Sequence, residues 1–241
     1  MSVRYGFPMI TPAVKNLLLA CAAVFLFQEF IAYNLNETLL GLLPVEYHQE
    51  ILNMPPWGIT SFDLLFGLVP YLVIKQFYIW QFVSYMFLHG SFMHIFFNMF
   101  ALWLFGNELE RQWGTREFLR YYFLTGTVAG VTTFLWNLSG NVYVPTIGAS
   151  GAIFGVLAAY ALFFPDREIY MYFFFPIKAK YFVLLYAVLE LVMLPNADGI
   201  SHISHLGGMV AGFFYLRHRY RRYGIGKGFF SDFFKRKDRW E

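Results

Sequence analysis

Six apolar stretches recur along this chain, at residues 16–33, 82–105, 118–136, 150–164, 181–194 and 203–216. Segments this poor in charge have no outward face for water, so they predict spanning helices with the bilayer as solvent. Composition agrees: 58% of the 241 residues are hydrophobic, 22% aromatic and 14% charged, with 30 Phe. A soluble domain carries about 25% charged residues. Several of the stretches fall short of the roughly 20 residues that cross about 30 Å of hydrocarbon. A further apolar run, Leu64–Ile74, is broken by Pro70 and too short to cross. It is expected in the interface, within a long first loop near Trp57.

Basic residues set the orientation. With six spans, Arg4, Lys15, Arg111, Arg116, Arg167, Lys178, Lys180, Arg217, Arg219, Arg221 and Arg222 all fall on one side. The opposite loops hold Lys75 and little else basic. By the positive-inside rule both termini are cytoplasmic. The expected organisation is a cytoplasmic segment 1–14, a membrane core 15–220 and a basic, aromatic cytoplasmic tail 221–241. The lone Cys21 excludes an internal disulfide. It follows Leu18-Leu19-Ala20, faintly like a lipoprotein cleavage box, but hydrophobicity continues past it, so a retained first helix is expected. The compact core favours a bacterial inner membrane.

Polar residues inside the apolar stretches then carry the chemistry. At 1.5 Å per residue, Ser150 stands about 24 Å above Asp166, and His205 about 18 Å above Arg217. His94 and Asn98 stand about 21 and 15 Å above Glu108. Three spans thus put polar side chains into one layer, which is costly unless they face each other or water. The fourth span starts at Ser150, so residues 137–149 must dip inward against a water-filled cleft. Ser150 would be a nucleophile and His205 its base. No acidic residue is evidently placed to orient His205, since the nearest, Asp198, falls in the outer loop; a dyad is expected. His94 and Asn98 share a helix face, and with the Ser150 N–H they could hold an oxyanion. Phe154, four residues after Ser150, could stack on His205. Gly151 with Gly155, and Gly208 with Gly212, form small-xxx-small stripes that let two helix backbones approach.

These motifs resemble those of the rhomboid intramembrane serine proteases. Gly148-Ala-Ser-Gly-Ala-Ile-Phe-Gly155 resembles the family's active-site signature. His89-Gly-Ser-Phe-Met-His94-Ile-Phe-Phe-Asn98 resembles its second-helix motif, and His205-Leu-Gly-Gly208-Met-Val-Ala-Gly212 its sixth-helix motif. The resemblance covers most of residues 15–220. It implies an all-α integral membrane protein, a six-helix bundle with a Ser150–His205 dyad. It also implies His94 and Asn98 at the oxyanion site, and transmembrane protein substrates cleaved near their outer ends without metal or cofactor. Two departures stand out: Trp80 is followed by Gln81 where the family often has Trp-Arg, and Phe154 stands where Tyr is common.

Other readings compete. Ser150 alone reads as a helix N-cap, and His94 and Asn98 as polar glue between helices. His89, His94, His202 and His205 suggest zinc, but no HExxH or acidic ligand set accompanies them, so no metal is expected. His202 reads as an outer-rim residue, and His89 as a support through a hydrogen bond. Glu190 lies in the fifth span, either lining the cavity or solvated at the outer boundary. The basic tail reads as binding anionic membrane lipid rather than nucleic acid. A transporter would show an inverted repeat or paired broken helices, and neither is evident. A catalytically silent relative that binds transmembrane helices, as chaperone or adaptor, is the alternative to a protease. Such relatives typically lack the serine or histidine present here.

Overall fold

The computed structural model describes residues 10–222, except 33, 46, 48–58, 141, 172–174 and 195–200. Arg4, Trp57, Asp198 and the tail beyond Arg222, which figure in the reading above, lie outside the described residues.

The chain is mostly helical. Helix α1 (Pro12–Phe27) opens on a proline whose fixed φ suits a first turn. Its first N–H groups have no local cap, the general need of a helix start. Glu110, distant in sequence, accepts from the Ala13 and Val14 N–H groups at 2.8 and 2.9 Å. Asn107 accepts from the Thr11 N–H at 2.8 Å. A π-helical turn (Gln28–Ala32) prolongs α1. Among the described residues, Pro12–Ala32 is the helix long and apolar enough to cross a membrane alone.

The first loop contains α2 (Asn36–Leu40), α3 (Ser61–Phe66), α4 (Pro70–Gln76) and α5 (Gln81–Ser84). Thr60 and Asp63 close a capping box at the start of α3. The run Leu64–Ile74 is shared between α3 and α4, and Pro70 opens the second of them. Around these short helices Leu43, Tyr47, Leu64, Leu65, Val69 and Leu72 form a small core of their own.

The apolar stretch 82–105 is not one helix, as hydropathy predicts. A 3₁₀ turn (Tyr85–Phe87) follows α5, and a second helical run, Phe92–Trp113, leaves at 97° to the first. It comprises α6 (Phe92–Ala101), a π-helical turn and α7 (Asn107–Trp113). The cause is local: Ser91 is an N-cap whose hydroxyl accepts from the His94 N–H at 3.1 Å, which starts a new helix inside the apolar run. The remaining helices are α8 (Thr115–Asn137), α9 (Ser150–Phe163), α10 (Ala179–Met193) and α11 (His202–Arg222). Between α9 and α10 stands an antiparallel hairpin of β1 (Glu168–Met171) and β2 (Phe175–Lys178). The hairpin end is tied by Arg167 to Glu108 at 2.7 Å. Lys180 and Lys178 bond Asp166 and hold its carboxyl below the usual range.

Helix α9 is the centre of the bundle. It is apolar all round and buried over most of its length, the pattern of a core helix. The glycine stripes lie where the helices pack closely. A Cβ on Gly208 would collide with the Gly151 backbone carbonyl, and one on Gly212 with the Tyr121 hydroxyl. A Cβ on Gly155 would lie 2.7 Å from Thr125. Helices α9 and α11 therefore meet at backbone range at Gly151 and Gly208, and the α8 side chains Thr125 and Tyr121 fill the notches at Gly155 and Gly212. The Tyr121 hydroxyl donates to the Gly155 carbonyl at 2.7 Å and locks α8 onto α9.

Candidate active site

Ser150 is the first residue of α9, and the N-cap is Ala149, which offers no capping side chain. The N-cap reading of Ser150 therefore does not describe this helix. The Ser150 hydroxyl is engaged elsewhere, with its Oγ 2.8 Å from Nε2 of His205 on α11. The Phe154 ring stacks on His205, with centroids 4.1 Å apart and planes 5° from parallel. The hydroxyl can donate only to an unprotonated Nε2. A neutral His205 ring in this contact thus carries its proton on Nδ1.

The end of the segment before α9 is pinned by backbone hydrogen bonds, while Leu138, Ser139 and Gly140, earlier in the stretch expected to dip inward, are exposed. Thr146 and Leu68 exchange backbone hydrogen bonds of 2.9 Å, and the Gly148 N–H donates to the Tyr85 carbonyl at 2.9 Å. Gly148 has φ +125°, a conformation that favours glycine. A Cβ there would stand 2.7 Å from Nε2 of His94 and 3.7 Å from Oγ of Ser150. The absence of that Cβ is what lets the His94 imidazole lie beside the serine. Asn98 is buried one turn along α6 from His94.

Supporting contacts surround this group. His89 is buried, with its N–H donating to Gln28 Oε1 at 3.1 Å and its Nδ1 3.3 Å from the Phe87 carbonyl. Its ring stands edge-on to His94, with centroids 5.0 Å apart. This is the supporting role the sequence suggests. Gln81 replaces the arginine of the related motif and still organises the loop. Its Nε2 donates to the Leu64 carbonyl at 2.8 Å and its Oε1 accepts from the Val69 N–H at 2.9 Å. The Trp80 indole donates to the Leu65 carbonyl at 2.9 Å.

Two expectations are corrected. The sequence reading finds no acid to orient His205, yet Glu190 Oε2 lies 3.0 Å from His205 Nδ1. The approach is oblique, and Nδ1 makes no aligned hydrogen bond; at rest the contact is a close electrostatic one. The same oxygen is 2.6 Å from Nδ1 of His202. Glu190 thus lines the site rather than meeting solvent, and His202 is a buried partner rather than a rim residue. The missed signal was an acidic residue in an apolar span, which marks a functional site by default. Glu190 and the two histidines share no sequence segment, so spacing alone could not join them. The three donor atoms lie within 4.8 Å of one another, a set of the kind that can hold a metal ion. Glu190 Oε2 shares a hydrogen bond with His202 Nδ1 at 2.6 Å and stands 3.0 Å from His205 Nδ1; ligands of a tetrahedral zinc stand roughly 3.3 Å apart.

The comparisons with known proteins point the same way. A model of the Rhomboid domain matches residues 76–222. The chain is 32% identical over 158 residues to "Rhomboid protein 1, mitochondrial" of Saccharomyces cerevisiae, covering 60% of this chain and 44% of that protein. It is 30% identical over 160 residues to "Rhomboid protease GluP" of Bacillus subtilis, covering 65% of this chain and 30% of that protein. "Putative rhomboid protease YdcA" of the same bacterium is 31% identical over 136 residues, 56% of this chain and 64% of the relative. The matched region is thus less than half the length of the first two. The family model spans Ser150, His205, His94 and Asn98 alike: this chain is a member of the rhomboid family.

Proposed function

We propose that this protein is an intramembrane serine endopeptidase that cleaves transmembrane protein substrates near the outer membrane face. The observation that carries the reading is the 2.8 Å contact between Ser150 Oγ and His205 Nε2. As the substrate carbonyl is attacked by Oγ, Nε2 takes the serine proton and then delivers it to the leaving amine. The acyl-enzyme is opened by water along the same path. The tetrahedral oxyanion is held by the His94 and Asn98 side chains and the Ser150 N–H. Phe154 holds the imidazole plane. No metal or organic cofactor enters this scheme.

In this reading six helical segments, α1, α6–α7, α8, α9, α10 and α11, occupy the membrane with both termini cytoplasmic. Exposed Phe92, Met93, Phe96, Phe97 and Phe100 on α6 support a lipid neighbour. So do Leu184, Leu185, Val188, Leu191 and Val192 on α10. The substrate helix enters sideways between α6 and α10 and unwinds near small or helix-breaking residues. Helix α10 is the sparsely anchored wall of that passage, with buried residues at Ala179, Val183 and Glu190.

The test is reconstitution of the full chain in liposomes with a panel of single-span helices, half of them carrying Gly or Pro near the outer end. The expected result is cleavage near that end by the wild type and none by Ser150→Ala. Helix binding without cleavage, in folded protein, would favour the silent chaperone or adaptor instead. Cleavage of soluble peptides but never of membrane-embedded helices would refute lateral entry.

A further inference from the structure

We propose that Glu190 is a positioning residue for His205, making the candidate dyad a Ser150–His205–Glu190 array anchored by His202. The inference rests on the reading of Ser150 and His205 as nucleophile and base. Three observations carry it.

The first is that Glu190 is turned inward against the habit of its helix. Its neighbours Leu189, Leu191, Val192 and Met193 are all exposed, and the other buried residues of α10, Ala179 and Val183, lie in its first two turns. The outer half of α10 therefore buries a carboxylate and little else. Burying such a group is costly unless polar partners meet it.

The second is where the carboxylate goes. Oε2 faces both rings, at 2.6 Å from Nδ1 of His202 and 3.0 Å from Nδ1 of His205. The two histidines are three apart at the start of α11 and share a face. His202 makes the tight bond that fixes the oxygen; the His205 contact is a close electrostatic one without an aligned hydrogen bond.

The third is proton bookkeeping. Ser150 donates to Nε2 only when the His205 proton is on Nδ1, the nitrogen that faces Glu190. The carboxylate favours that tautomer over the inert one. When Nε2 takes the serine proton, the ring becomes a cation in a region of low dielectric, where a charge is poorly solvated. Glu190 is the anion beside it. The proton stays on the imidazole, and the carboxylate stabilises without being protonated. A long or misaligned contact at rest is compatible with this role, since such bonds often tighten only as the reaction proceeds.

The test follows fluorophosphonate labelling of the full chain in detergent, resolved into the maximal labelling rate and the half-saturating probe concentration. Glu190→Gln keeps the shape and removes the charge. The expected result is a maximal rate at least about 10-fold lower, with half-saturation and melting temperature unchanged. The fall should stay short of the roughly 10⁴-fold loss when a well-aligned triad aspartate becomes asparagine. Glu190→Asp, which retains the charge, should recover part of the rate. A wild-type rate in folded Glu190→Gln overturns the proposal. So does a loss that appears only together with a higher half-saturation and a lower melting temperature, the signature of a mere tie between α10 and α11. If Glu190→Gln does not fold, Glu190→Asp decides: a reduced rate at unchanged half-saturation supports the proposal, and an unchanged rate overturns it. Failure of the wild type to label would instead overturn the reading of Ser150 and His205.

Discussion

Gly208 of α11 meets the backbone carbonyl of Gly151 on α9 so closely that no Cβ can stand between them. Gly151 directly follows Ser150, and Gly208 lies three residues after His205. This backbone contact therefore sets the distance at which serine and imidazole meet. Gly208→Ala should separate the helices, because the obstacle is backbone and cannot rotate away. Overpacking of this kind costs about 1–3 kcal/mol or more. The expected outcome is a lowered melting temperature and lost probe labelling. Gly140→Ala, where a Cβ meets nothing within 4 Å, is the control and should be silent.

Phe154 and His205 stack nearly parallel. An aromatic pair contributes about 0.5–1.5 kcal/mol beyond area burial. Phe154→Leu should keep the fold and lower the labelling rate by about 2- to 13-fold, that energy expressed as rate. Phe154→Tyr should remain near wild type, since the face of the ring is retained. Equal rates for the leucine variant and the wild type would remove Phe154 from the site.

Gln81 is fully buried and joins three points of the first loop, at Leu64, Leu65 and Val69. Gln81→Leu strands those backbone groups, at about 1–3 kcal/mol for each buried group left unsatisfied. Thermal unfolding should show a clear drop. Labelling of the fraction that remains folded should be little changed, because the chemistry lies elsewhere.

His94 and Asn98 are assigned to the oxyanion. His94→Ala and Asn98→Ala should each lower the maximal cleavage rate by about 10²–10³-fold. Substrate half-saturation should stay the same, since a donor used only in the transition state leaves ground-state binding untouched. An effect confined to half-saturation would make these residues substrate contacts instead.

Much of this arrangement is legible before any coordinates. Ser150, His205, Phe154 and the glycine stripes are read from one or two helical turns of sequence, where period and side-chain size decide what can face what. The break before Phe92 was hidden because hydropathy averages over Ser91, whose capping bond outweighs the apolar run around it. Gln81 departs from the related motif in charge but not in its capacity to tie the loop, since an amide offers both a donor and an acceptor. Glu190 was the hardest case. Its meeting with His202 and His205 depends on how α10 leans against α11, a tertiary fact that no spacing within either helix encodes. Only the cost of a carboxylate among Leu189, Leu191 and Val192 hinted that a partner had to exist.

The most direct measurement is peptide mapping of the full chain after fluorophosphonate treatment, run beside Ser150→Ala and His205→Ala. The account predicts one adduct, on Ser150, in the wild type, and none in either variant. An unmodified Ser150 in folded wild-type protein, or an adduct that forms equally well without His205, would contradict it.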